Sequence, residues 1–310
     1  MFGGIFSSRK KRKTKKTRKT SPKISNCYGG IEKRNGTCYS QDDLLKMRNI
    51  WNIKHPDKQI RAKQPELIWN RFDEYLQHVC KNEACWLKQQ FLDKNIAANI
   101  FDQSFTPAKP SNWRTNPVQW LNSLDIENVM KQYEDENEDF EFFGAAPIDF
   151  DDKYEGSNQC VFEEICNFNI QTEYNKGIRN IGFIFNLDPH HKSGSHWVSM
   201  FVNLDDNYIF FLDTNGNSIP IQIKALVNRI KSQCKRDLHK KMRFMDNAPR
   251  RHQYENTECG VYCLYAIISQ LKKIHTPQWI KRNRIPDEEM KTFRDIFYTD
   301  RTKKHSEPIL

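Results

Sequence analysis

The spacing of apolar residues predicts helices in the first third of the chain. Ser40 can cap the first of them, and Pro56 ends it. Its apolar stripe contains Leu44, Leu45, Met47, Ile50 and Trp51. Two further amphipathic stripes follow over residues 67–76 and 85–92. Three such helices within about 60 residues predict a small helical domain over residues 27–105, with aromatic residues that serve packing.

Beyond residue 180 the pattern changes to that of strands. Residues 181–185 are a short apolar run typical of a buried strand, and residues 196–204 alternate between apolar and polar positions. A turn at residues 205–207 separates the second strand from a third over residues 208–213. The last two strands therefore predict a β-hairpin.

Helical patterns surround these strands. Asn122 or Ser123 can cap a helix, and residues 220–234 have helical periodicity. Residues 259–271 are apolar on all sides, which is typical of a helix buried in a core. Residues 242–246 are a further candidate strand. Strands flanked by helices without βαβ regularity predict an α+β class.

A segment rich in Pro and Asn over residues 106–117 marks a domain boundary, so we assign residues 106–310 to the main domain. Residues 132–156 hold ten acidic residues and one Lys. We interpret this stretch as a solvated loop, although it could also repel or recruit a charged partner.

The formal net charge of +10 belongs to one short segment. Residues 9–23 hold ten Lys or Arg and no acid, and the rest of the chain has 39 basic and 39 acidic residues. Residues 1–26 therefore predict a disordered basic tail. The tail fits a solubilising segment, a nuclear address, or a grip on nucleic acid or anionic lipid, and the sequence does not separate these.

Composition limits the remaining classes. The mean hydropathy of −0.82 predicts a polar, soluble chain. The sequence has no apolar run near the ~20 residues of a membrane span and no secretory signal. Nine cysteines form no Cys-x-x-Cys pair, which favours a reducing compartment. Loose pairs such as Cys80/Cys85 and Cys160/Cys166 lack metal-ligand spacing, so we predict no metal and no cofactor.

Four residues offer the parts that a cysteine nucleophile requires. Cys259 begins the buried helix, where the helix dipole favours a thiolate, and His196 begins a strand. Asp213 closes the next strand and can orient the imidazole, with Asn215 as the alternative. Gln253 lies six residues before Cys259 and carries an amide suited to an oxyanion hole.

Each of these residues taken alone has an ordinary explanation. A Cys that enters an apolar helix is usually a core residue, and Asp213 before a Thr-Asn-Gly turn is a common turn residue. Cys263 is one turn along the same helix, and we predict that it belongs to the core. The order of His, Asp, Gln and Cys carries the prediction of nucleophilic catalysis.

The segments GSHWVSMFVNL, FFLDTNG and HQYENTECGVYC resemble the Ulp-type SUMO protease and adenain superfamily of cysteine proteases. The resemblance implies that Cys259 is the nucleophile, His196 the general base and acid, Asp213 its orienter and Gln253 the oxyanion donor. The segment Trp120-Leu121-Asn122 resembles the opening of that family's catalytic domain. Trp120 and Trp197 would then form a narrow substrate tunnel.

Within that superfamily the chain most resembles the polyprotein-processing proteases of large cytoplasmic DNA viruses, such as African swine fever virus. This resemblance implies cleavage of structural or core precursors after Gly-Gly sites during virion maturation, in the host cytoplasm and the virion. The basic tail leaves nuclear localisation and nucleic-acid binding open, and the sequence does not give an oligomeric state. A deconjugase that removes ubiquitin-like modifiers and an inactive virion scaffold protein are the alternatives.

The chain's own Gly3-Gly4 and Gly29-Gly30 raise the hypothesis of self-processing. Pairs of glycines are common, so an ordinary structural use of each pair is the simpler interpretation.

Overall fold

A computed structural model describes residues 25–33 and 36–300. The predicted basic tail lies outside the described residues, except for its last two positions. The α-helices are α1 Gln41–Lys54, α2 Pro65–Leu76, α3 Lys94–Ser104, α4 Ser123–Asp135, α5 Glu163–Cys166, α6 Ile170–Asn175, α7 Ile221–Asp237, α8 Cys259–Leu271, α9 Pro277–Arg282, α10 Asp287–Thr292 and α11 Arg294–Phe297. The strands are β1 Phe140–Pro147, β2 Asn180–Asn186, β3 Trp197–Asn203, β4 Tyr208–Leu212 and β5 Arg243–Asp246. Short 3₁₀ helices span Tyr28–Gly30, Glu83–Lys88 and Ser111–Arg114.

The five strands form one mixed sheet in the order β1-β2-β3-β4-β5. The central strands β2, β3 and β4 pair antiparallel, and the predicted hairpin is confirmed by the register of Asn203 opposite Tyr208. The outer strands β1 and β5 each pair parallel to their neighbour. Helices make these parallel connections, with α5 and α6 between β1 and β2 and α7 between β4 and β5.

The sheet is covered by helices on both faces. In β4, alternate residues pack into different cores: Phe210 belongs to the cluster that contains α8, and Phe211 belongs to the cluster that contains α7. Burying one such side chain contributes about 1.5–3 kcal/mol. The apolar pattern of α8 therefore has a simple cause, since every residue of this helix is buried. The α+β class is confirmed.

The interpretation of residues 132–156 as a solvated loop is wrong. This stretch contains the end of α4 and the whole of β1, the edge strand beside β2. Phe140 and Ala146 are buried, whereas most of the acidic residues around them are at least partly exposed. The charge count concealed a strand because an edge strand needs apolar residues only where it meets the core.

The N-terminal helices are confirmed in part. Ser40 caps α1 by accepting a hydrogen bond from the Asp43 N–H, and α2 occupies the second predicted stripe. The third helix is misplaced by the sequence prediction, because residues 83–88 form a 3₁₀ helix and the α-helix follows as α3. Asp93 explains where α3 begins, since its carboxylate accepts from the Asn95 N–H.

The expectation of a reduced chain is contradicted for six of the nine cysteines. The structure forms three disulfides, Cys27–Cys38, Cys80–Cys85 and Cys160–Cys166. Their Cα–Cα distances of 5.2, 5.5 and 6.3 Å lie within the range that a disulfide spans. The loosely spaced pairs that do not suit a metal are therefore bonded to each other, and cysteine usage no longer indicates a reducing compartment.

We call residues 27–105 the arm. Its buried side chains form one cluster that contains both end residues, Cys27 and Phe105, and these two residues also pair in an isolated β-bridge. The arm meets the rest of the chain at α4. There the Gln132 side chain accepts from the Gly29 N–H at 3.3 Å and donates to the Phe105 carbonyl at 3.1 Å. The domain boundaries themselves stay a prediction.

Gly29 and Gly30 are buried in this contact and adopt positive φ angles of 54° and 66°. A side chain at Gly30 would collide with the Tyr133 ring. Self-processing at this pair is therefore incompatible with the folded chain, because a buried peptide bond is not accessible to a protease. Gly3-Gly4 lies outside the described residues.

Among the described residues, none of the helices is long and apolar enough to cross a membrane.

Candidate active site

Cys259 is the first residue of α8, as the sequence predicts. Its side chain is almost fully buried, and the residue as a whole is 3% exposed. A helix N-terminus stabilises a nearby negative charge by about 0.3–1 kcal/mol. Cys263, one turn later, is fully buried, and burial raises the pKa of its thiol well above the ordinary value. Its prediction as a core residue is confirmed.

The hairpin brings His196 and Asp213 together. His196 directly precedes β3 and Asp213 directly follows β4, so both lie at the same end of the antiparallel pair. The His196 Nε2 lies 2.7 Å from the Asp213 Oδ1. Asn215, the alternative orienter, has its side-chain nitrogen 3.4 Å from the same Nε2, so Asp213 is the closer partner.

The surroundings of His196 favour its charged form. Burial lowers the pKa of the imidazole, but hydrogen bonds with Asp213 and Cys259 outweigh this and raise the pKa to about 9. Since Nε2 bonds Asp213, Nδ1 is the ring nitrogen left for the Cys259 thiol. Burial alone would raise the pKa of Asp213. Hydrogen bonds from His196 and Asn215 have the larger, opposite effect, so the pKa lies below its ordinary value. The carboxylate therefore stays ionised beside the imidazolium.

Asn247, a residue that no sequence pattern singles out, holds Asp213 in place. The Asp213 N–H donates to the Asn247 Oδ1 at 3.0 Å, and the Asn247 Nδ2 donates to the Asp213 carbonyl at 2.6 Å. Asn247 is fully buried and follows directly after β5. An Asn after a strand is an ordinary loop residue in sequence, so only the sheet order reveals this contact.

Gln253 is oriented by Thr214, another residue that no sequence pattern singles out. The Thr214 hydroxyl donates to the Gln253 Oε1 at 2.9 Å, and the Gln253 N–H donates to the Thr214 carbonyl at 3.0 Å. Both residues are buried. Because the amide oxygen is bound to a donor, the Gln253 Nε2 is directed away from Thr214 and is the group available to donate.

A cleft of about 480 Å³ opens beside His196. Trp120 and Trp197 both line it, but they differ in burial: Trp120 is 39% exposed and Trp197 is 7% exposed. The Trp197 indole N–H donates to the Leu121 carbonyl at 2.8 Å, which fixes the segment that carries Trp120. Leu121 also packs against Gly260, where an added Cβ would lie only 3.1 Å from its side chain.

A buried ion pair connects the segment before Trp120 with the segment before Cys259. The Arg294 Nε lies 2.7 Å from the Glu258 Oε2, and both side chains are almost completely buried. Arg294 also donates to the carbonyls of Gln119 and Thr257, at 2.8 and 3.1 Å. One guanidinium thus links the residue before Trp120 with the two residues that precede Cys259. The sequence offered no sign of this contact, which spans 36 positions.

Comparisons with known proteins find related sequences. A family model described as the Ulp1 protease family, C-terminal catalytic domain, matches residues 166–308, which include His196, Asp213, Gln253 and Cys259. A protein of Acanthamoeba polyphaga mimivirus that is named for thiol protease activity is 25% identical over 292 residues, covering 88% of this chain and 92% of the relative. A SUMO-1 cysteine protease of African swine fever virus is 34% identical over 115 residues, 36% of this chain and 41% of that relative.

The fold is shared with a solved structure. The crystal structure of an African swine fever virus protease matches with a TM-score of 0.61 and 20% identity, over 92% of this chain and 99% of that one. The family match covers residues 166–308, and together with the viral relatives it shows a cysteine protease that is similar to the Ulp1 family and to the proteases that these viruses encode.

Proposed function

We propose that the chain is an endopeptidase in which Cys259 is the nucleophile and His196, held by Asp213, moves the protons. The observation that carries this proposal is the alignment at one end of the sheet. A hairpin places the imidazole and carboxylate 2.7 Å apart, and the Cys259 side chain at the start of α8 helps to raise the pKa of the imidazole. This arrangement supplies a nucleophile, a base and an orienter for acyl transfer.

In the first half of the reaction, His196 holds the proton of Cys259 as an imidazolium, and the thiolate adds to the substrate carbonyl. The Gln253 amide and the Cys259 backbone N–H stabilise the oxyanion of the tetrahedral intermediate. The C–N bond then breaks, and His196 donates its proton to the leaving amine. In the second half, water adds to the thioester while His196 accepts its proton, and the C–S bond breaks to release the acid and Cys259.

We propose that the cleft selects small residues before the cut, with Gly-Gly as the preferred pair. Trp120 and Trp197 line the cleft beside His196, and indole walls leave room for a peptide backbone but little for a Cβ atom. Such a site suits an extended segment between folded parts of a precursor. The biological substrates that we propose are structural or core polyproteins cleaved during virion maturation, in the host cytoplasm and the virion, with the basic tail as a contact for nucleic acid.

The experiment compares two substrates: a flexible peptide containing Gly-Gly-X, and a folded ubiquitin-like protein fused to a reporter through its Gly-Gly tail. We expect wild type to cleave the peptide efficiently and the fusion no better, and Cys259→Ala to cleave neither. Trp120→Ala should raise KM for Gly-Gly peptides and admit larger residues at the cut. Cleavage by Cys259→Ala at the wild-type rate would refute the assignment of the nucleophile.

Removal of a ubiquitin-like modifier is the second candidate function, and a specific observation favours it. The African swine fever virus relative is named as a SUMO-1 protease, and the family model is that of Ulp1. A strong preference for the folded fusion over the peptide would establish this function instead, because a deconjugase gains binding energy from the folded surface of the modifier.

A further inference from the structure

Two histidines and one aspartate converge beside the cleft, outside the residues that the proposed mechanism uses. Asp149 follows β1, and His190 and His191 lie in the connection between β2 and β3. One ligand atom from each residue can be chosen so that all three lie within 4.8 Å of one another. Two separate segments of chain therefore bring three metal-binding side chains to one point.

The geometry points to a site for a divalent transition metal of the zinc class. Two imidazoles and one carboxylate are ligands that Zn²⁺ takes at about 2.0–2.2 Å, and a fourth position remains for water. Ca²⁺ and Mg²⁺ prefer oxygen ligands throughout, so this set of donors disfavours them. We infer that Asp149, His190 and His191 bind one such ion at the rim of the cleft.

The carboxylate is already oriented for this role. The Asp149 Oδ1 accepts from the His190 backbone N–H at 2.9 Å, which fixes the carboxylate against the loop that carries both histidines. The Asp149 Oδ2 lies 2.6 Å from the His190 Nδ1. If the Asp149 Oδ2 and the His190 Nδ1 move slightly apart, an ion can replace the proton of their hydrogen bond. Both histidines are exposed to solvent, so an ion reaches them without unfolding.

An ion bound at this position would also restrain the wall of the cleft. His190 and Lys192 line the cleft together with His196, and the loop over residues 187–196 closes where the Leu187 N–H donates to the His196 carbonyl at 2.9 Å. An ion that ties this loop to Asp149 restrains the segment that ends at His196. Binding itself is independent of the proposed protease mechanism and is tested without activity.

The test uses the full chain with Cys259→Ser, so that the catalytic thiol contributes no ligand, and Co²⁺ as a spectroscopic probe. We expect one Co²⁺ per chain, with visible d–d bands of a tetrahedral nitrogen and oxygen set, and displacement by Zn²⁺. His191→Ala and Asp149→Asn should each weaken binding by about tenfold or more. His78→Ala, at an exposed position just after α2, is the matched control and should leave the affinity unchanged.

Three results would overturn the inference. They are the absence of Co²⁺ binding, an affinity that falls equally in the His78→Ala control, and an intense thiolate-to-cobalt band that places the ion at a cysteine. Circular dichroism of each variant separates loss of a ligand from loss of the fold. Since His191 is exposed, its replacement should leave the spectrum as in wild type.

Discussion

At the scale of single residues, the proposed mechanism depends on the charge of His196. Its pKa is raised to about 9 because hydrogen bonds with Asp213 and Cys259 outweigh the opposing effect of burial. A raised pKa means that the imidazolium stabilises the fold below the unfolded value of 6.5, and that this contribution is lost as the pH rises through about 9. In the proposed mechanism, His196 donates this same proton to the leaving amine.

The first prediction concerns the pH dependence of kcat/KM. Activity should fall as the pH rises through about 9, because His196 then loses its proton. Asp213→Asn removes the carboxylate that helps to raise this pKa, so the alkaline limb of the profile should move to lower pH. Asn215→Ala, which removes a contact at 3.4 Å, should move the limb less. An alkaline limb that stays in place in Asp213→Asn would contradict the assignment of Asp213 as orienter.

The second prediction concerns Thr214, which positions Gln253 through its hydroxyl. Thr214→Val keeps the shape of the side chain but leaves the Gln253 amide free to rotate. We expect kcat to fall by about tenfold or more with KM nearly unchanged, while Gln253→Ala costs about 10²–10³ in kcat. Thr214→Ser retains the hydroxyl and should restore most of the activity in steady-state assays. A Thr214→Ser variant as slow as Thr214→Val would show that packing, rather than the hydrogen bond, is what matters.

At the scale of elements, the candidate site lies where the ends of three elements meet. The hairpin of β3 and β4 supplies His196 and Asp213, and α8 begins at Cys259. Arg294, at the start of α11, contacts the segments before Trp120 and before Cys259. Arg294 thereby connects the segment that carries Trp120 to the segment that leads into Cys259.

The third prediction tests this connection. Arg294→Met leaves the fully buried Glu258 carboxylate without its partner, which should lower the free energy of unfolding by about 3–5 kcal/mol. Glu258→Gln combined with Arg294→Met removes the uncompensated charge and should recover part of that loss. Urea unfolding of both variants measures the difference. Equal stability of the single and double variants would indicate that the ion pair is not what links these segments.

At the scale of the whole molecule, Gln132 joins the arm to the catalytic part. Its side chain bonds a backbone group near each end of the arm, Gly29 and Phe105. The fourth prediction is that Gln132→Leu lowers the unfolding free energy by about 1–3 kcal/mol for each buried group left unpaired. Hydrogen exchange at Gly29 should also accelerate. Asn128→Ala, an exposed change on the same helix, is the control. Equal exchange rates at Gly29 in both variants would show that the Gln132 side chain does not join the arm to α4.

How far the sequence predicts this molecule depends on how local each signal is. The caps at Ser40 and Asn122, the hairpin and the buried helix α8 are confirmed, because short-range periodicity and turn chemistry determine them. The strand β1 was missed because acidic residues flank it and its parallel partner β2 lies more than 30 residues away. The three disulfides were missed because pairing depends on distances in the fold, which the spacing of cysteines does not reveal.

The candidate site follows the same rule. Its titratable residues were predictable because their spacing along the chain resembles that of a family. The residues that support them were not predictable from sequence, because the partners of Asn247 and Arg294 lie 34 and 36 positions away along the chain. A buried polar side chain of this kind has no sequence pattern of its own, and its role appears only when its partners are known.

Covalent labelling by a Gly-Gly peptide with a C-terminal vinyl sulfone identifies the nucleophile when it is followed by mass spectrometry of the intact chain and of its proteolytic peptides. The thiolate adds across the activated double bond, so the adduct marks the nucleophile. We expect one adduct, at Cys259, with none at the buried free cysteines Cys234 and Cys263, and much slower labelling in His196→Ala. Labelling at another residue, or at the same rate in His196→Ala, would refute Cys259 as the nucleophile and His196 as its partner.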